Sequence, residues 1–186
     1  MAEQAIDMAD TLKDRLEGTN INPETFLATD YLNHFNEGIM LIELVPDMPE
    51  MLEDAQNWAP KSYPDHFRDS TFSDKELAIE AYENAPAAIR ESFDAVITRI
   101  DQAMLETLAD LGMAVQANDQ AMLQEITTTA CRNIRSLLDQ ASAIIHGSRV
   151  QPDAETEAEI AAAMAEQPAE AEEVTMNQDD IDALFD

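Results

Sequence analysis

Two long apolar stripes separated by a three-residue break, A-N-D, constrain this chain more than any other feature. Ile89, Phe93, Ile97, Ile100, Met104, Leu108, Leu111 and Val115 recur in steps of three and four, which places them on one face of a helix over roughly 86–116. Pro86 suits the first helical position, where its missing N–H costs nothing. Leu123, Ile126, Ala130, Ile134, Leu137, Ala141 and Ile144 or Ile145 mark a second helix over about 119–146. Asn118 is expected to cap that helix and Gly147 to end it. A break this short leaves the two helices no choice but to run antiparallel. The predicted fold class is therefore all-α, a helical bundle built around a long antiparallel helix hairpin.

The first half supplies helices to pack on that hairpin. Ile6, Ala9, Leu12 and Leu16 predict a helix over 2–17, with Gly18 just past its end. Asn22 followed by Pro23 predicts the start of a second helix, with Leu27, Tyr31, Phe35, Ile39 and Ile42 as its stripe and Pro46 as its stop. Gly38 inside it is either a weak point or a site of close approach. Asp47 and Pro49 open a short helix to about Asn57. Ser73 and Glu76 have the spacing of a capping box, opening a helix through Leu77, Ile79 and Tyr82 that ends before Pro86. Between these lies an irregular stretch, W-A-P-K-S-Y-P-D-H-F-R-D-S-T-F, residues 58–72. Its prolines argue against a long helix. The preferred reading is a crossover pinned to the helices by Trp58, Tyr63 and Phe67. The alternative is a second binding surface made of Trp58, Lys61, Tyr63, His66, Phe67 and Arg68, because loops dense in aromatic and basic groups often bind something.

Charge narrows the function. The 39 acidic residues against 10 basic ones give a net charge of −29. Nucleic acids and anionic membranes need a basic surface, so neither is an expected partner. No apolar run is long enough to span a membrane. Glu3 and Asp7 stand where a secretory leader would be basic, so the expected location is cytoplasmic. Cys131 has no partner for a disulfide and reads as a small buried hydrophobe. His34 has no second His or Cys at ligand spacing, so no metal is expected. His146 stands at a helix C-terminus, where the dipole favours a cation.

From Val150 onward there are 12 acidic residues and no Lys or Arg. The Ala/Glu-rich segment 153–166 can form a helix capped by Asp153 and ended before Pro168, and 167–175 reads as spacer. Such a charged tether repels itself and extends. It leads to the last dozen residues, T-M-N-Q-D-D-I-D-A-L-F-D. Asn177 is a good N-cap, Met176 and Ile181 stand at the positions of a hydrophobic staple, and Asp179 and Asp180 favour the first turn. Ile181, Leu184 and Phe185 then share one face. A short amphipathic helix of this kind is marginal alone and is expected to fold on a partner. The division expected is a helical domain over 1–148, an acidic tether over 149–174 and a binding peptide over 175–186. Docking of the terminal helix on the chain's own body, or its use in oligomerisation, is the alternative.

The string N-Q-D-D-I-D-A-L-F resembles the response-regulator-binding peptide of the flagellar switch protein FliM, whose pattern is close to S-Q-D/E-E-I-D-A-L-L. Its place after an acidic tether is similar to that of the peptide closing the chemotaxis phosphatases of the CheZ family. The resemblance implies that Met176, Asn177, Gln178, Asp179, Asp180, Ile181, Asp182, Ala183, Leu184 and Phe185 bind a CheY-like response regulator, in a chemotaxis or motility regulator. The CheZ likeness implies an aspartyl-phosphate phosphatase, in which a side-chain amide orients the attacking water with help from an acid one helical turn away. The regulator would supply the phospho-aspartate and any Mg²⁺, so the chain needs no cofactor of its own. In CheZ that pair is Asp-x-x-x-Gln, which occurs nowhere here. Glu80 with Asn84, Glu53 with Asn57 and, in reverse order, Gln102 with Glu106 are the nearest substitutes. Asp30 with Asn33 loosely imitates the Glu-x-x-Asn of CheC-type phosphatases. The weak catalytic candidates are thus Gln102, Glu106, Glu80, Asn84 and Asn33, and a binding role without catalysis is preferred. The long hairpin also offers a homodimer interface.

Overall fold

The hairpin stripes are long enough to build a core by themselves, and the other described helices fold onto them. The structure, a computed structural model, describes residues 11–148. Residues 11–16 are helical and are labelled α1; the expected positions Ile6 and Ala9 lie outside the described residues. A 3-10 turn, Thr29–Leu32, leads into α2, Asn33–Leu44. Then come α3, Met51–Gln56; α4, Tyr63–Asp69; and α5, Lys75–Glu83. The hairpin is α6, Ala87–Ala117, and α7, Gln120–Ile145. The fold is an all-α bundle, and the described residues contain no strand, only an isolated bridge between Ile21 and Ala28. No described helix is long and apolar enough to cross a membrane. The expected helix over 153–166, the spacer and the terminal amphipathic helix lie outside the described residues.

The α6 seam is the one its spacing predicts. Phe93, Ile97, Ile100, Met104, Leu108 and Leu111 are buried, with Ile89 and Val115 half-buried at the two ends. The α7 seam differs in the middle: Ile126 and Ala130 are only half-buried, whereas Thr127 and Cys131 are buried. A helix turns 3.6 residues per turn, so Leu123, Thr127, Cys131 and Ile134 continue one face. Hydropathy alone points one residue too early. The turn also differs. Asn118 does not cap α7; it takes the left-handed conformation, φ 51°, and closes α6. Asp119 is the N-cap of α7, its carboxylate accepting from the Met122 N–H at 3.0 Å.

The predicted second helix is corrected at its start. Asn22 does accept from the N–H groups of Glu24 and Thr25, at 2.8 and 3.1 Å, as a cap would. The chain then turns back, with the Asn22 N–H donating to the Leu27 carbonyl at 2.9 Å. Phe26 adopts φ 63°, a left-handed conformation costly for a bulky residue, yet its side chain is 4% exposed. Tertiary bonds hold this turn: the Thr25 hydroxyl donates to the Ile145 carbonyl at 2.6 Å, and the Ala28 N–H donates to the Tyr63 hydroxyl at 2.8 Å. The helix proper begins ten residues after Pro23, yet Leu27, Tyr31, Phe35, Ile39 and Ile42 are all buried as the stripe requires.

Three further points concern α2 to α5. Residues 58–72 are not wholly irregular, because α4 lies inside them. Ser62 caps it, accepting from the Asp65 N–H at 3.2 Å, and Pro64 sits in its first turn, where no N–H is needed. The Ser73 capping box does not form: α5 starts at Lys75 behind Asp74, without a side-chain cap bond. Gly38 is a close-approach site, since an added Cβ would run into the Met104 side chain and come within 2.9 Å of Trp58 Cδ1.

Candidate functional site

The segment 58–63 is laced to α2 and the turn before it by reciprocal bonds, and these shape a recess at the α4 side of the bundle. The Trp58 indole N–H donates to the His34 carbonyl at 3.0 Å. His34 Nε2 bonds the Ala59 carbonyl at 2.9 Å. A carbonyl can only accept, so Nε2 carries the proton and Nδ1 is left as the ring's acceptor. The Tyr31 hydroxyl donates to the Lys61 carbonyl at 2.6 Å. The His34 ring stacks on Trp58, centroids 5.0 Å apart, and faces the His66 ring at 6.0 Å. Asp30, Asn33, His34, Glu37, Lys61 and His66 converge there on a cavity of about 460 Å³.

The electrostatics of the recess are those of a half-dry site with its cations already engaged. Burial pulls the His34 pKa below the usual imidazole range. Burial does the same to His66, helped by His34 and Lys61. Both rings therefore stay neutral near pH 7. Lys61 is paired with Asp69 at 2.8 Å, and Arg68 is paired with Asp65. Asp30 and Glu37 add negative charge. The recess offers two neutral imidazoles, and the lysine that lines it, Lys61, is already paired with a carboxylate. Among the described residues, no cluster of three or more His, Cys, Asp or Glu is arranged to bind a metal.

The sequence candidates fall in different places. Trp58, Tyr63 and Phe67 are buried, 8, 3 and 0% exposed, so the aromatic half of the suggested second surface is core. Their packing is that of a pinned crossover: Tyr63 stacks on Tyr82 at 4.6 Å and lies 4.7 Å from the Phe67 ring. Lys61, His66 and Arg68 remain at the rim. Gln102 and Glu106 are exposed on α6 and bond each other, Gln102 Nε2 donating to Glu106 Oε1 at 2.8 Å. Glu80 does not pair with Asn84. Its carboxylate is held by both guanidinium nitrogens of Arg15, at 2.6 and 2.7 Å, while the Asn84 amide donates to the Glu80 backbone carbonyl. Glu53 and Asn57 are exposed on and just after α3 with no bond between them. Asn33 lines the histidine recess. The peptide Met176 to Phe185 lies outside the described residues.

Asp101 is a residue that pattern reading passed over. It sits on α6 beside the seam, one turn after Ile97, and lines a cleft of about 330 Å³ with Tyr31, Tyr63, Tyr82 and Asp94. Its Oδ1 is buried without a hydrogen-bond partner, and burial pushes its pKa up to about 6. A carboxylate four residues from one apolar seam position and three from another was the available signal. No family model, no curated protein and no solved structure matches this chain.

Proposed function

We propose that the chain is a cytoplasmic chemotaxis or motility regulator that binds a CheY-like response regulator through residues 175–186. The observation that carries the reading is the string N-Q-D-D-I-D-A-L-F, an apolar face of Ile181, Leu184 and Phe185 framed by carboxylates at the end of an acidic tether. A strongly negative tether favours a partner with a basic face and speeds encounter. The binding is that of an adaptor, which localises the regulator without hydrolysing its phosphoryl group. Two observations support the adaptor side. Lys61 and Arg68 are each paired with a carboxylate and burial lowers the His66 pKa, so three of the groups that could have met a phosphorylated site carry reduced positive charge toward it. Glu80 is likewise taken up by Arg15. The test is calorimetry of the full chain against a CheY-like receiver with and without beryllofluoride. Activation should tighten binding, and Ile181→Ala with Phe185→Ala should remove most of it, because two buried anchors dominate so small an interface. Equal weak binding by wild type and double variant would sink the reading.

One observation favours a second reading, a CheZ-like phosphatase. Gln102 is an exposed amide on the longest helix, oriented by a carboxylate one turn away. In that reading Gln102 would hold the attacking water and Glu106 would hold the amide, with phospho-aspartate and Mg²⁺ supplied by the regulator. A phosphate-release assay separates the two. The adaptor leaves the spontaneous rate unchanged; the phosphatase accelerates it, and Gln102→Ala abolishes the acceleration.

A further inference from the structure

The outer side of the hairpin carries a groove walled by α6 and α7 alone. Ala103, Ile126 and Ala130 form its half-buried apolar floor. Glu106 and Asp110 stand on the α6 rim and Glu125 on the α7 rim, all exposed, and no Lys or Arg lines the groove. Its volume is about 610 Å³. Met122, 41% exposed, lies at the end near the turn, and Met113, 57% exposed, continues the Glu106–Asp110 row one turn further. Methionine is unbranched and polarizable, and exposed methionines beside an apolar floor suit a surface that adapts to a bound side chain.

We infer that this groove docks a basic amphipathic helix of a partner protein. The occupant follows from charge and spacing together. An apolar stripe fits the floor, and Lys or Arg rows on either side of it meet the two acidic rims. Glu106 and Asp110 are one helical turn apart, so basic residues at i and i+4 of the partner fall into register with them. A second copy of this chain is a poor occupant, because its matching face would bring three more carboxylates against these three. The inference rests on the groove alone and does not depend on a role for the terminal peptide.

The test uses the full chain and a fluorescent peptide of about five helical turns, with Leu on one face and Lys elsewhere. A scrambled peptide of the same composition and a peptide with Glu for Lys are the controls. Anisotropy at physiological salt reports affinity, and amide-resonance shifts locate the contact. The amphipathic basic peptide should bind best, with shifts concentrated over 103–113 and 122–133. Asp110→Lys with Glu125→Lys should weaken binding by about tenfold or more. Glu53→Lys with Glu91→Lys changes the net charge equally, away from the groove, and should leave binding nearly unaltered. All four positions are exposed, and circular dichroism confirms that the variants fold. Equal loss in both double variants, or equal binding of the scrambled peptide, would mean unspecific attraction to an acidic chain and would overturn the proposal. A dimer in sedimentation that the groove variant disperses would overturn it in favour of a second copy.

Discussion

Asp101 shows how one side chain can work against the fold that holds it. Its carboxyl is pushed up to about 6 by burial, with no cation beside it. The folded chain therefore binds this proton more tightly than the unfolded chain does. Stability linked to Asp101 is full below the unfolded value of about 3.8 and is lost as pH rises through about 6. Asp101→Asn should consequently raise the thermal midpoint by a few degrees near neutral pH, and the gain should shrink as pH falls toward 4. His34 and His66 act in the opposite sense. Their folded values are depressed, so stability present above the ordinary imidazole range is lost as pH falls through it. The difference between variant and wild type isolates the carboxyl, since both share the histidines. A melting difference independent of pH would refute the assignment. Nothing in the helical periodicity announces the proton affinity; only the packing around Asp101 creates it.

At the scale of elements, the turn between α6 and α7 divides its work between two neighbours. Asn118 tolerates the left-handed conformation that ends α6, and Asp119 satisfies a free N–H at the start of α7. Asp119→Ala should cost about 1 kcal/mol in urea unfolding, the usual worth of an N-cap, and Asn118→Gly should cost nothing or stabilise slightly. A larger loss at 118 than at 119 would return the capping role to Asn118. Element boundaries were the least legible part of the sequence, and the reason is visible at Asn22. Its side chain makes the bonds of a cap, but Thr25 and Ala28 are claimed by α7 and Tyr63, so the helix waits until Asn33.

At the scale of the whole molecule, one buried cluster runs from Leu12 to Ile145, drawing on every described helix. If residues 175–186 are a tethered ligand, deleting 149–186 should leave the thermal midpoint of this core within a degree or two of the full chain's. A fall of many degrees would favour a terminal helix that docks on the body. The sequence by itself determined the helical class, the hairpin, the α6 seam and the residues α2 buries, because hydrophobic spacing of three and four is a local property that any core must respect. It also determined the terminal string on which the proposed function rests. Only the tertiary structure decided the rest. It chose between the two readings of residues 58–72 in favour of the preferred pinned crossover, burying Trp58, Tyr63 and Phe67, and it engaged Glu80 with Arg15, a residue 65 positions away. It joined two histidines from different helices and left an acid-rimmed groove on the hairpin. Those outcomes depend on which distant surfaces meet, and a pattern read along one chain carries periodicity but not the identity of the neighbour across the gap.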